Sequence, residues 1–229
     1  MSNIFTSSIG KKLIMSISGC FLVLFLAFHM CMNLALVFSP EAYNAICEFL
    51  GANWYALVGT AILAAGVLVH FVYAFILTIQ NRKARGNIRY AVTAKEEGVS
   101  WASKNMLVLG IIVILGLLVH LKDFWAKMQL VEILGNHTNS YGLTPTDGAG
   151  ATLEVFGNPI YCVIYIVWLA ALWFHLTHGV WSMLHTMGFN SKVWMKRVKC
   201  LANIVATLVV AGFMLVVVVC CLRANGIIG

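Results

Sequence analysis

Five uninterrupted apolar stretches, residues 13–38, 54–79, 105–121, 160–187 and 201–222, set the limits on what this 229-residue chain can become. A helix needs about 20 mostly apolar residues to cross a hydrocarbon layer roughly 30 Å thick. The stretches show none of the alternation of a barrel strand, and backbone inside lipid must bond to itself, so each predicts a transmembrane helix. Composition excludes the alternatives. Hydrophobic residues make up 61% of the chain and charged residues 10%, with mean hydropathy +0.90, against about 25% charged in soluble domains. The first stretch follows Lys11 and Lys12 but is too long for a signal-peptide core and lacks a small-residue cleavage site, so it reads as a span. The expected fold is an all-α membrane protein, a single domain over 1–229 built as a five-helix bundle.

Charge sets the expected topology. Twelve of the fifteen Lys and Arg fall at Lys11 and Lys12, at Arg82, Lys83, Arg85, Arg89, Lys95 and Lys104, and at Lys192, Lys196, Arg197 and Lys199. The positive-inside rule puts all three groups in the cytoplasm, the N-terminus inside and the C-terminus outside. The other side keeps Lys122, Lys127 and Arg223 with Glu41, Glu48, Asp123, Glu132, Asp147 and Glu154. The net charge of +7 therefore reports topology, not nucleic-acid binding. The inner surplus, opposed only by Glu96 and Glu97, also suits docking of an acidic peripheral protein.

Two outer connections stand out. Residues 39–53, with Pro40 and then Tyr43, Ile46, Phe49 and Leu50 among polar neighbours, predict a short amphipathic helix at the outer interface. Residues 127–158, carrying Asn136, Asn139, Gly142, Pro145 and Asp147, read as a long loop marked by turns. The seven cysteines show no C-x-x-C. Most lie in or beside spans, where they act as small hydrophobes, and covalent c-type haem, zinc and iron–sulfur ligation are not expected. No nucleotide fingerprint is present either.

Chemistry is left to the histidines. His29, His70, His120 and His175 each fall on a different one of the first four stretches, and ionisable groups inside a membrane mark function by default. At 1.5 Å per residue, His29 lies roughly 25 Å from Lys12 and His120 roughly 24 Å from Lys104, both toward the outer side. His70 lies roughly 24 Å from Trp54 and His175 roughly 24 Å from Pro159 on helices running the other way, toward the inner side. The four resolve into two pairs at two depths, as two stacked bis-histidine b-type haems require. Gly66, Gly116 and Gly179 lie four residues from His70, His120 and His175, on the ligand's face, where they admit either a porphyrin or a neighbouring helix. His29 has Phe25 and Asn33 at those offsets. His178, three residues after His175, competes with it by spacing alone. His178 and His185 read as packing or interfacial, and His137 as solvated in the outer loop.

The run Phe174-His175-Leu176-Thr177-His178-Gly179-Val180-Trp181-Ser182, the Phe28-His29-Met30 segment followed by Asn33, and His70 and His120 on the second and third spans resemble the cytochrome b subunit of succinate:quinone oxidoreductases. The likeness is to the five-helix, dihaem, single-anchor type of fumarate reductases and succinate dehydrogenases, and covers nearly the whole chain. It implies two haem b groups, one held by His29 and His120 and the other by His70 and His175, with His175 the fourth ligand in place of His178. It implies a flavoprotein and an iron–sulfur subunit on the cytoplasmic face of a bacterial inner membrane, with dicarboxylate chemistry in those partners, and it leaves room for a dimer of the heterotrimer. The chain's own task would be anaerobic-type respiratory electron transfer with a membrane quinone, in most dihaem members menaquinone. Glu48, with Glu41 second, matches the region of a family glutamate that accepts quinol protons. Trp173 stands where some members carry a glutamate for transmembrane proton transfer. Other readings are a dihaem anchor of a nitrate reductase or hydrogenase, and a haem-free transporter whose histidines line a polar path.

Overall fold

The computed structural model describes residues 7–85 and 100–228, and among them the chain is helical with no strand. Five helices are long and apolar enough to cross a membrane, α1 (Ser8–Phe38), α3 (Trp54–Arg85), α5 (Met106–Asp123), α8 (Pro159–Thr186) and α9 (Lys192–Ala224). Among the described residues the protein is all-helical, with the five long apolar helices of a multi-pass membrane protein. Arg89, Lys95, Glu96 and Glu97, which entered the charge argument, lie outside the described residues.

Helix ends are written in capping chemistry. Ser7 accepts from Gly10 N at 3.0 Å to start α1, and Ser191 accepts from Trp194 N to start α9. Asn158 accepts from Ile160 N at 2.9 Å, with Pro159 at the first helical position of α8. These side chains replace partners missing from the first turn. Both α1 and α9 begin before their apolar stretches, because hydropathy marks the apolar portion of a helix whereas the cap marks its start.

Ser39 serves two helices. Its N–H closes α1 on Ala35 O at 2.9 Å, and its hydroxyl caps α2 (Pro40–Phe49) through Ala42 N at 3.1 Å. The expected helix after the first span is present, with Tyr43 buried.

The expected loop over 127–158 is corrected. It holds the short helix α6 (Gln129–Ile133) and the longer α7 (Gly148–Phe156). Asp147 caps α7 through Gly150 N at 2.9 Å, and Ala149, Ala151, Thr152, Val155 and Phe156 are buried along it. Small residues and glycines made this segment look loop-like; tertiary burial against α2 and α9 makes it a helix. A tight turn precedes it, with Asn139 Oδ1 accepting from Tyr141 N and Leu143 N, and Gly142 at φ 76°. Together α2, α6 and α7 form a lid on one end of the bundle. A short helix, α4 (Trp101–Lys104), sits at the other end, where Lys104, Lys196, Arg197 and Lys199 also lie.

The core runs along α8 and α9, the most closely packed pair, with α1 against both. Helix α3 packs chiefly on α1, and α5 chiefly on α8. Exposed Phe28, Val58, Ile62, Leu68 and Leu115 form the apolar exterior a lipid solvent accepts.

Candidate functional site

All four intramembrane histidines come together, in two pairs. The His29 and His120 rings have centroids 5.9 Å apart, and the His70 and His175 rings 6.4 Å apart. The first pair lies toward the lidded end, the second toward the basic end. In each pair the rings join helices whose backbones do not pack closely, α1 with α5 and α3 with α8. The histidines therefore reach across spaces between helices.

That separation can be tested against a metal. An imidazole nitrogen binds a metal at about 2 Å, and with the ring centre about 1 Å behind it, two axial imidazoles on one ion have centroids about 6 Å apart. Both pairs meet this. Among the described residues no group of three or more His, Cys, Asp or Glu gathers as a metal site, but an axial set consists of two ligands.

The surroundings differ. His29 stacks on Phe25 at 5.4 Å and lies 5.7 Å from Phe213. His120 is enclosed by Phe124, Tyr165 and Trp168 at 5.1, 6.3 and 5.9 Å. Asn33 Nδ2 donates to His29 O at 2.8 Å and lies 3.4 Å from ring Nδ1. Asn33 thus supplies a polar partner one turn after its histidine, where α8 carries Gly179.

At the second pair, Ser18 Oγ lies 3.2 Å from His70 Nδ1 and 3.1 Å from Met15 O. A hydroxyl has one proton. With that proton on the Met15 carbonyl, Ser18 accepts from Nδ1–H, leaving Nε2 of His70 with its lone pair. Metal-ligating histidines are commonly oriented this way. His175 Nδ1 is buried without a hydrogen-bond partner, as is His178 Nδ1. Buried polar atoms rarely stay unpaired, and at His175, which faces His70 across helices, the orphan nitrogen fits a group bound at the pair. The residues present fit an axial pair at both depths.

The glycines divide. A Cβ at Gly66 would run into the Phe21 ring and one at Gly116 into Trp168, whereas Gly179 faces open space. In this structure Gly66 and Gly116 accommodate aromatic rings.

Three further histidines stand apart from the pairs. His178 packs edge-on against Trp181 at 5.1 Å, His185 meets the same ring at 6.4 Å, and Lys199 Nζ lies 4.8 Å above it. His137 is exposed between α6 and α7. Trp173 donates from Nε1 to Thr207 Oγ1 at 3.0 Å.

Glu48 is exposed on α2, in a surface groove shared with Glu41, Asn44, Thr144, Thr146 and Asp147. Its own backbone N–H and the Ser39 hydroxyl, which donates at 2.8 Å, hold the Glu41 carboxyl below the usual carboxylate range. Neither glutamate is brought against a histidine pair. The carboxylate that does lie one turn from His120 is Asp123, 2% exposed, which charge counting had placed among the outer acids. Its signal was available, since it directly follows an apolar span.

The fold and these pairs define a class: a helical membrane protein with two cross-helix histidine pairs at different depths. Comparison of the chain with protein-family models, curated proteins and solved structures found no match.

Proposed function

We propose that the chain is the dihaem cytochrome b membrane anchor of a fumarate reductase or succinate dehydrogenase complex, carrying electrons between a membrane quinone, menaquinone by preference, and an iron–sulfur partner. The observation that carries this reading is the pairing of His29 with His120 and of His70 with His175, each at a separation at which both imidazoles could hold one iron.

The four imidazoles would hold two b haems, and bound haem supplies a one-electron carrier at each depth. The chain's own residues do the rest. Ser18 orients the His70 ring, and Asn33, bonded to the His29 carbonyl, ties that turn of α1 to the lid, while Phe25, Phe124, Phe213 and Trp168 keep water from the lidded pair. The basic end, with N-terminus inside and C-terminus outside, would dock the iron–sulfur and flavoprotein subunits at the cytoplasmic face of a bacterial inner membrane. Glu48 is the proposed acceptor for quinol protons at the opposite face.

A reduced-minus-oxidised spectrum with haem quantification on the purified chain tests the proposal. Two b-type haems per chain are expected. No b-type absorbance would favour a transporter with polar histidines, and one haem per chain would equally overturn the reading. With two haems present, copurification of a flavoprotein and an iron–sulfur protein separates this anchor from those of other quinone-linked oxidoreductases.

A further inference from the structure

Asp123 is the one charged side chain buried below a tenth of its surface among the described residues, and its position is costly twice over. It ends α5, where the helix dipole already places partial negative charge. Its ion-pair partner among the described residues, Lys122 at 2.9 Å, is 59% exposed and largely solvated. The other polar contact is the Tyr165 hydroxyl, which donates to Oδ2 at 3.3 Å. A solvated lysine compensates a buried carboxylate only in part.

The surroundings indicate what else the charge could serve. Asp123 follows His120 by three residues, so the two lie on one helix face about 5–6 Å apart at Cβ. Tyr165, which donates to Asp123, also packs against the His120 ring at 6.3 Å. Phe124, Phe156 and Trp168 also pack on Tyr165. In so apolar a setting a carboxylate acts over distance with little screening.

We infer that Asp123 sets the electrostatic bias of the His29–His120 pair, its fixed negative charge favouring the oxidised over the reduced state of a haem held there. This rests on the dihaem reading above. Loss of one electron, to the second haem or to a redox mediator, adds one positive charge at the pair, and Asp123 stabilises that charge. Tyr165 positions the carboxylate, and Lys122 offsets part of it.

The test is an optical redox titration of the intact two-haem protein at fixed pH. The haem at the lidded end is first assigned by its loss in His120→Ala. Asp123→Asn keeps size and hydrogen bonding but removes the charge. It should raise the midpoint of that haem, lowering its oxidised-to-reduced ratio at fixed potential about tenfold, as expected for a unit charge within roughly 10 Å at an effective dielectric near 20. The other haem should move much less. Lys122→Gln should shift the same haem the opposite way, and serves if Asp123→Asn does not assemble. An unmoved midpoint in Asp123→Asn with both haems retained, or in Lys122→Gln where only that variant assembles, would overturn the inference, since an anchoring role alone changes stability and not one potential selectively. Absence of two haems in the unmodified protein would instead overturn the dihaem reading itself.

Discussion

The Tyr43 hydroxyl donates to Asn33 Oδ1 at 3.0 Å, and the amide of the same asparagine reaches His29. Tyr43 belongs to the lid and Asn33 to α1, so seating the lid fixes the asparagine and through it the histidine. Burial and the neighbouring Cys47 sulfur push the Tyr43 phenol well above its ordinary range, keeping it a neutral donor.

Asn33→Leu removes both contacts while keeping the volume. It should broaden or shift the electron paramagnetic resonance signal of the haem at the lidded end and lower that haem's occupancy. The signal at His70–His175 should stay unchanged. Tyr43→Phe should produce the same change more weakly and cost about 1 kcal/mol of stability.

His175 and His178 both carry a buried, unpaired Nδ1, but only His175 faces a second histidine across helices. His178 faces Trp181. His175→Ala, like His70→Ala, should therefore remove the haem toward the basic end, and His29→Ala or His120→Ala the other, as haem content and spectra would show. His178→Ala should retain both. Loss of a haem in His178→Ala with both retained in His175→Ala would transfer the ligand role to His178.

The histidine pairs could be read from sequence because depth follows from residue count at a fixed rise per residue, and opposite helix directions then sort four positions into two levels. The lid could not be read this way. Its helix α7 depends on contacts more than 100 residues away, with Asn44 donating to Asp147 Oδ1 and accepting from Ala149 N, each within 3 Å. No local periodicity encodes such a contact. Asp123 was obscured for another reason: counting charges by loop treats every acid beyond a span as solvated, whereas the last turn of α5 is still inside the protein.

Arg223 joins the end of α9 to the end of α1. Its two terminal nitrogens donate to Leu36 O and Val37 O, both at 3.0 Å, satisfying carbonyls that the last turn of α1 leaves unpaired. A planar guanidinium can meet both at once and complements the helix dipole. Arg223→Ala should destabilise the detergent-solubilised protein by about 2 kcal/mol, read as a lower thermal midpoint. Arg223→Lys should recover only part of the loss.

Cysteine accessibility gives a direct test of orientation. Cys200 is exposed near the basic start of α9, and the topology proposed here puts it on the cytoplasmic side. Cys47 sits in the lid at the opposite end, where burial pushes its thiol up to about 11, with the Asp147 carboxylate adding to the effect. In single-cysteine variants, a membrane-impermeant maleimide should label Cys200 in inside-out vesicles and not in right-side-out ones. Cys47 should label slowly from the opposite side at pH 7. Only its thiolate reacts, so below its raised pKa the rate should climb about tenfold per pH unit between pH 7 and 9. Labelling of Cys200 only in right-side-out vesicles would invert the topology and move the partner-docking face to the other side of the membrane.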